Sequence, residues 1–331
     1  MFDTLAKEAK NDYMKVVSKL ETGQGYIDTG SLILNAALSG SLYGGIPDNR
    51  ITGLAGEQST GKTFYAMGIA KNFLDMHPDG AVFYFDTESA TSADLFEGRG
   101  LDTDRVYVFP VDTLEDFRTQ IIRILDNMLK MKEKERKPLL VVLDSLGMLP
   151  SSKELTDALD DKQVRDMTKS QVIKSIFRLI TNKLGKLKVP MIVTNHTYQT
   201  MNPYGEKTDM GGGSGLKYAA STIIHLSKSK EKDGTEVVGG IIKAKMNKSR
   251  FTKESTVAET RLFFDERGLD KYYGLLPLAE KYGIIPKDGK QYIVDDKKYY
   301  ESSIIKEPEK FFTPELMEGL EIAAAQEFKL K

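Results

Sequence analysis

The sequence predicts an α/β fold, in which a mostly parallel central sheet is covered by helices on both faces. A glycine-rich segment at residues 56–63 stands between a short apolar strand and a helical pattern. Four further apolar runs of strand length alternate with segments of helical spacing, which is typical of a parallel sheet with two buried faces. These runs are residues 81–85, 106–109, 139–143 and 189–193. Two later β-rich runs, 237–246 and 257–264, predict an antiparallel extension of the sheet.

Length and composition favour a folded protein with one large domain and small additions. The 331 residues exceed one ordinary core, and 40% are hydrophobic while 29% are charged. The absence of cysteine excludes disulfide frameworks and thiolate catalysis. A formal net charge of −1 means that nucleic acid would be bound by local patches. Without a long apolar run or a basic leader, we expect a cytoplasmic protein that does not enter a membrane.

Changes in pattern divide the chain into three parts. Residues 1–30 combine a weak amphipathic helix with several glycines, and we expect an arm that packs on its own core or contacts a neighbouring subunit. Residues 31–267 hold the α/β core. Residues 268–331 predict a small α+β C-terminal domain, with a helix near Leu275, a hairpin at 289–294 and a last helix at 314–329.

Residues 56–63 fill the pattern G-x-x-x-x-G-K-[ST] without a mismatch and are called the P-loop below. Glycine at 56 and 61 lets backbone N–H groups curl around a β-phosphate. Lys62 would supply charge to the β- and γ-phosphates, and the Thr63 hydroxyl is suited to Mg²⁺. The alternative, a turn that merely opens a helix, does not explain an eight-residue pattern in register with the correct flanks. The residues predicted to bind ATP here are Gly56, Glu57, Gln58, Ser59, Thr60, Gly61, Lys62 and Thr63.

Polar side chains follow three of the apolar runs, where ligands bind in open α/β sheets. Asp144, with Ser145 beside it, ends the run at 139–143 and would hold Mg²⁺. Glu88 lies just past the run at 81–85 and could orient the water that attacks the γ-phosphate, although Asp86 and Glu88 could instead cap the next helix. His196 follows the run at 189–193, where it is either a γ-phosphate contact or an ordinary polar residue.

Together these motifs resemble those of the RecA recombinases, and among them most closely the UvsX type of T4-like phages. The resemblance runs from about residue 31 to residue 286. It rests on the P-loop, on 85–88 and 141–147, and on five narrower segments at 166–168, 174–178, 195–198, 210–213 and 248–250. It implies a RecA-like P-loop ATPase core. The implied activity is a DNA-dependent ATPase that forms a helical filament on single-stranded DNA and catalyses homologous pairing and strand exchange in recombination, repair and recombination-dependent replication.

The same resemblance implies cofactors and partners. ATP and Mg²⁺ are the expected cofactors. The expected partners are single-stranded and double-stranded DNA, further copies of the chain in a helical polymer, a single-stranded-DNA-binding protein and a recombination mediator. A phage-encoded protein acting in the cytoplasm of its bacterial host is implied as well.

Carried over by position, the resemblance makes Glu88 the catalytic carboxylate and puts His196 where the family has a glutamine that senses ATP. Lys248 and Arg250 match a basic pair that reaches the γ-phosphate of the neighbouring subunit, so that both join Lys62 in catalysis. The first DNA-binding loop corresponds to about 149–165 and the second to about 197–217. The residues expected to bind DNA are Lys174, Arg178, Tyr198, Met201, Gly212, Gly213 and Lys217.

The residues themselves support part of that assignment. The second loop is rich in glycine and threonine and carries tyrosines, which suits a loop that orders on a polyanion. Lys174 and Arg178 are four apart on a predicted helix and could form a stripe that faces phosphates, or a solvated helix face. Two positions depart from the family. Leu95, next to Phe96, replaces a tyrosine that stacks on adenine, and Gln171 replaces an arginine that contacts DNA.

Two other functions share some of these features. A hexameric helicase with a RecA core would also have the P-loop, the glutamate and the interface cations, but it would form closed rings. A non-catalytic recombinase paralogue would bind DNA and a recombinase while hydrolysing little ATP. The intact P-loop, Glu88 and Asp144 argue against that second alternative.

Overall fold

A computed structural model describes residues 25–160, 168–199, 208–265 and 267–330, together with residues 6 and 8. The predicted arm therefore lies outside the described residues except for 6, 8 and 25–30. The strands are β1 Tyr26–Ile27, β2 Ile46–Pro47, β3 Ile51–Gly56, β4 Ala81–Asp86, β5 Val106–Pro110, β6 Leu139–Asp144, β7 Met191–Gln199, β8 Thr208–Met210, β9 Thr222–Asp233, β10 Glu236–Ser249, β11 Val257–Phe263, β12 Lys287–Asp288, β13 Gln291–Val294 and β14 Lys297–Tyr300. The helices are α1 Leu32–Ser39, α2 Lys62–Met76, α3 Ala93–Glu97, α4 Leu114–Lys130, α5 Ser152–Leu159, α6 Lys169–Leu187, α7 Gly215–Ala219, α8 Leu275–Lys281, α9 Glu301–Lys306, α10 Pro308–Phe311 and α11 Pro314–Phe328.

The central sheet has the strand order β11-β10-β9-β3-β7-β6-β4-β5, and β8 pairs with β7 outside that path. The six strands from β9 to β5 run parallel to one another, whereas β10, β11 and β8 are antiparallel to their neighbours. This confirms the predicted parallel sheet and its antiparallel extension. The register aligns Gly56 with His196, and Asp86 with Asp144. The carboxyl ends of four strands therefore meet at one edge of the sheet, which is where ligands bind in such folds.

Both faces of the sheet are buried along its central strands. On β6, Leu140 and Val142 belong to one hydrophobic cluster while Val141 and Leu143 belong to the other. A strand covered on two sides reads as a continuous apolar run because successive side chains point to opposite faces. Helices α4 and α6 contribute to one cluster, and α1, α2 and the helices of the C-terminal part contribute to the other.

Helix α4 shows how local sequence sets an element. The Thr113 hydroxyl accepts a hydrogen bond from the Asp116 backbone N–H at 3.0 Å, which satisfies a donor that the helix itself leaves free. Phe117, Ile121 and Leu125, spaced four apart, are all fully buried against the sheet. The helix therefore begins directly after a threonine whose side chain caps it.

The C-terminal part contains a three-stranded antiparallel sheet, β12-β13-β14, and four helices. Its last helix, α11, buries Leu320 and Ala324 in the cluster that also contains α1. The Thr252 hydroxyl donates to the Ala37 carbonyl at 2.7 Å, and the Lys253 backbone N–H donates to the Phe328 carbonyl at 2.8 Å. The part after residue 268 thus shares its buried surface with the core, and the boundaries of the three predicted parts stay predictions.

None of the helices in the described ranges has the length and apolar character needed to cross a bilayer.

Candidate nucleotide site

The backbone carbonyls of the P-loop bind the side chain of Lys62, which belongs to the same loop. Lys62 is only 6% exposed, and its ammonium group donates to the carbonyl oxygens of Gly56 at 3.0 Å and Glu57 at 2.7 Å. Gly61 has a φ of +97°, and a Cβ at Gly56 would lie 2.6 Å from the Leu226 carbonyl oxygen. Both glycines are therefore required by the backbone, as the motif predicts. The loop holds a cation at the start of α2, where helical N–H groups also favour an anion.

Burial makes the positive charge of Lys62 less favourable than it would be in water. Burial lowers the pKa of its ammonium group, and the carboxylates of Asp144 and Glu88 oppose that shift. A buried cation with too few counter-charges gains from a polyanion placed beside it. The charge and backbone geometry of the P-loop thus favour the binding of a polyphosphate.

Asp144 is held by three hydroxyl groups. Thr63 donates to its Oδ2 at 2.7 Å, Tyr84 donates to the same oxygen at 2.5 Å, and Thr194 donates to Oδ1. Burial, followed by the charge of Asp144, raises the pKa of the Tyr84 phenol, so Tyr84 stays a donor. The hydroxyl and carboxylate oxygens of Thr63 and Asp144 are adjacent hard ligands, which fits Mg²⁺ bound through one carboxylate and a nucleotide.

The structure separates the roles of Asp86 and Glu88. Asp86 is buried and accepts hydrogen bonds from the Glu88 N–H and from the N–H and hydroxyl of Thr91, so it shapes the loop after β4. Ser92, rather than either acid, caps the following helix. The Glu88 carboxylate faces the cleft, where its Oε1 accepts from the Ser145 hydroxyl at 3.1 Å.

Strand β7 joins this cleft to the second loop. The His196 Nε2 lies 3.5 Å from Glu88 Oε1, while the His196 carbonyl accepts from the Gly211 N–H at 3.0 Å. The preceding residue of the strand, Asn195, donates from Nδ2 to the Gly211 carbonyl at 2.8 Å. A displacement of His196 on the nucleotide side would therefore move the backbone at Gly211 directly.

The end of the second loop lies on helix α6. Gly212 and Gly213 have φ values of +79° and +76°, and a Cβ at either would come within 2.6 Å of the side chains of Ile173 and Ser170 respectively. Only glycine allows this approach, so the loop backbone rests on the first turns of α6. Lys174 and Arg178 are exposed on that helix, four residues apart, beside buried Ile173 and Phe177.

The remaining residues of the predicted DNA surface flank the same loop. Tyr198 is 57% exposed. Lys217 forms an ion pair with Asp209 at 2.8 Å, and its hydrogen bond lowers the pKa of that carboxyl group. Met201 falls in 200–207, and part of the first loop falls in 161–167, both outside the described residues.

Lys248 and Arg250 lie at the far end of β10 and do not line the cleft around Lys62. A β-bulge between Met246 and Lys248 makes Asn247 the extra residue, so that Ser249 is buried and Lys248 is half-exposed. The Lys248 ammonium group donates to the Lys217 carbonyl at 2.5 Å. Burial, and then the nearby charge of Arg250, lower the pKa of Lys248.

The cleft has a volume of about 390 Å³ and extends from the P-loop to Phe64, Arg99, Lys228 and Phe264. Neither residue at the family's adenine position lines it. Leu95 packs against the core, and Phe96 is 3% exposed with its ring edge-on to Tyr84 at 5.3 Å.

The sequence matches the family model of the RecA N-terminal domain over residues 5–270. The chain belongs to the RecA family. This RecA-family chain is 35% identical to the recombination and repair protein of Enterobacteria phage T4 over 259 residues, which cover 78% of the chain and 64% of the phage protein. It is 28% identical to Protein RecA of Paenarthrobacter aurescens over 81% of the chain and 74% of that protein. It is also 28% identical to Protein RecA of Bacteroides thetaiotaomicron over 82% of the chain and 78% of that protein.

Sequence reasoning about this RecA-family site missed Tyr84 and Thr194 as partners of Asp144. Thr194 follows the apolar run at 189–193, and no local pattern indicates which side chain it contacts. Tyr84 is a phenol inside an apolar strand, and a buried phenol needs a partner. The pairing of both with one carboxylate depends on the strand order β7-β6-β4, which no local pattern carries.

Proposed function

We propose that the protein is an ATP-dependent DNA recombinase, which forms a helical filament on single-stranded DNA and catalyses homologous pairing and strand exchange. The observation that supports this most is the path through β7, in which His196 meets Glu88 while its backbone and Asn195 hold Gly211. A site that hydrolyses ATP and a loop that binds DNA would share one rigid strand. A bound triphosphate would then change the position of the DNA-binding backbone.

The nucleotide half of the mechanism follows from the cleft. Lys62 and the P-loop amides would bind the β- and γ-phosphates, and Lys62 would exchange its carbonyl partners for phosphate oxygens. Mg²⁺, held by Thr63 and Asp144, would offset charge on the phosphate oxygens. Glu88, positioned by Ser145 and His196, would orient the attacking water and accept its proton. The rate gain is mainly electrostatic, because these groups are in place before the reaction.

The second half of the site would come from a neighbouring protomer. Lys248 and Arg250 do not line their own cleft, and they lie at the end of β10 and just after it, at the opposite edge of the sheet from the P-loop. Reaching the γ-phosphate of the next protomer would make hydrolysis depend on assembly, as an arginine finger does. Lys248 would leave the Lys217 carbonyl to do so.

On the DNA side, Lys174, Arg178 and Lys217 would contact phosphates, and the amides of Gly212 and Gly213 would approach the same backbone. Tyr198 is exposed and available for base stacking, and Met201 is proposed to insert between bases. Such contacts do not read sequence, so homology would be recognised by base pairing. A single-stranded-DNA-binding protein and a mediator would act as partners inside the infected bacterial cell.

A joint-molecule assay tests this function. The protein, ATP and Mg²⁺ are incubated with single-stranded DNA and either homologous or unrelated duplex, and we expect joint molecules only with the homologous duplex. The Lys62→Ala variant should form none and should lose DNA-stimulated ATP hydrolysis. Near-normal hydrolysis by Lys62→Ala would refute the nucleotide site. Closed rings instead of helical filaments in electron microscopy would favour a helicase.

A further inference from the structure

The cleft continues beyond the P-loop into a region that carries two aromatic rings, each covered by a cation. The Arg99 guanidinium carbon lies 4.6 Å from the centre of the Phe64 ring. On the other side, the Lys228 ammonium group lies 4.7 Å from the centre of the Phe264 ring. All four residues line the same cleft as Lys62. The cleft therefore has flat, polarisable surfaces where the non-phosphate part of a nucleotide would extend.

The position of Phe64 fixes how these surfaces relate to the phosphates. Phe64 directly follows Thr63 in the first turn of α2 and is half-buried against the core. The P-loop residues Lys62 and Thr63 mark the phosphate end of the cleft. The Phe64 ring and the guanidinium that packs on it are thus flat surfaces of this cleft directly beside the P-loop.

Arg99 is available for a ligand. Its side chain is exposed, and among the residues that the structure describes no carboxylate pairs with it. The contrast is Arg105, whose guanidinium is held by Asp102 and by the carbonyls of Leu74 and His77. A guanidinium that packs one face on a ring and forms no ion pair keeps its other face free for stacking.

We propose that the nucleobase stacks on Arg99, which Phe64 supports from below; this rests on the proposed function as a nucleotide hydrolase. Arg99 then determines the preference for a nucleoside triphosphate over a bare polyphosphate, and the larger ring system of a purine stacks better than a pyrimidine. The side chains at 95 and 96 do not contribute, because one packs in the core and the other is buried.

Equilibrium binding of two ligands separates stacking from charge. ATP and inorganic tripolyphosphate, both with Mg²⁺, are titrated into the full chain and its variants by calorimetry. Arg99→Ala should weaken ATP binding about tenfold, since loss of one base stack has that size, and leave tripolyphosphate binding unchanged. Arg99→Lys keeps the charge and loses the plane, so it should resemble Arg99→Ala. Phe64→Leu should weaken ATP binding in the same selective way.

Arg123→Ala is the matched control, since Arg123 is exposed on α4 and does not line the cleft. It should bind both ligands as the unmodified protein does. In steady-state hydrolysis, Arg99→Ala should raise KM for ATP with kcat nearly constant.

Unchanged ATP binding by Arg99→Ala would overturn the stacking proposal, and so would an equal loss for ATP and tripolyphosphate, which would make Arg99 a simple charge. Neither result would change the assignment of the P-loop as the phosphate-binding site. The proposed function fails separately if Lys62→Ala binds both ligands normally.

Discussion

The two halves of the proposed intersubunit site differ in how they are built. Around the P-loop, Lys62 and Asp144 are buried or tightly held, and each has two or three hydrogen-bond partners at the edge of a parallel sheet. At the far end of β10, Lys248 rests on a backbone carbonyl of α7 and Arg250 is exposed. The groups of the first half lie together in one protomer, whereas Lys248 in the second half would have to leave its carbonyl partner to reach a neighbour.

In the proposed mechanism, this difference separates nucleotide binding by one protomer from hydrolysis by the assembly. In the proposed site a single chain would bind the triphosphate, because Lys62, Thr63 and Asp144 already line one cleft. Lys248 and Arg250, the cations proposed to neutralise charge on the transferring phosphoryl group, do not line that cleft. Nucleotide affinity should then be a property of the protomer, and hydrolysis a property of the assembly.

The largest effect is expected when two inactive variants are mixed. Lys62→Ala and Arg250→Ala should each lose at least about two orders of magnitude in DNA-stimulated hydrolysis. In a random one-to-one mixture, about one quarter of head-to-tail interfaces join an intact P-loop to an intact Arg250, so turnover should recover to about that fraction. Hydrolysis is measured against total protein on saturating single-stranded DNA. If co-assembled variants show no recovery, Arg250 does not act across the interface.

A smaller but still large effect is expected at Glu88. Glu88→Gln keeps the shape and removes the proton acceptor, so kcat should fall by about two to four orders of magnitude while ATP binding is retained. Single-turnover hydrolysis and calorimetric ATP binding measure the two quantities. Asp86→Asn is the contrasting variant, since it should destabilise the loop at Thr91 and lower the melting temperature. A loss of ATP binding in Glu88→Gln would mean that this residue belongs to the binding half.

The smallest effect concerns stability and pH. The pKa of Lys62 is lower in the folded protein than in the unfolded chain, so the unfolded state binds more protons between the two values. The free energy of unfolding without nucleotide should therefore contain a contribution that rises with pH through the alkaline range below the ordinary lysine pKa. Denaturant unfolding at several alkaline pH values measures it, and Lys62→Ala should remove that part of the slope. An identical dependence of the unfolding free energy on pH in the variant would show that folding does not lower the pKa of Lys62.

Much of the first half of the site could be predicted from the sequence because it is encoded in local motifs. A glycine pattern, an apolar run and an acid at the strand end suffice to find Lys62, Glu88 and Asp144. The contacts that hold them are made between strands far apart in the chain, such as Thr194 with Asp144. Only the strand order determines those contacts, and the sequence pattern does not contain it.

The second half was less accessible to prediction. Resemblance alone identified Lys248 and Arg250, and nothing local revealed that Lys248 would rest on the Lys217 carbonyl. The sequence offered Leu95 and Phe96 at the family's adenine position. Both side chains pack into the core instead. Phe64 lies on α2 and Arg99 follows α3, so the two residues come together although they are 35 positions apart in the chain.

The bulge at Asn247 makes the second half of the site depend on how the strand is paired as well as on its composition. Side chains on a strand alternate with a period of two, so one unpaired residue exchanges the inward and outward positions that follow it. Met246 pairs with Ile224 and Lys248 with Ile223, so the pairing skips Asn247 and leaves Lys248 facing outward. If Asn247 were paired instead, Lys248 would turn toward the buried face and Ser249 outward, although the sequence would be unchanged. The bulge in β10 therefore decides which side chain this protomer offers to its neighbour.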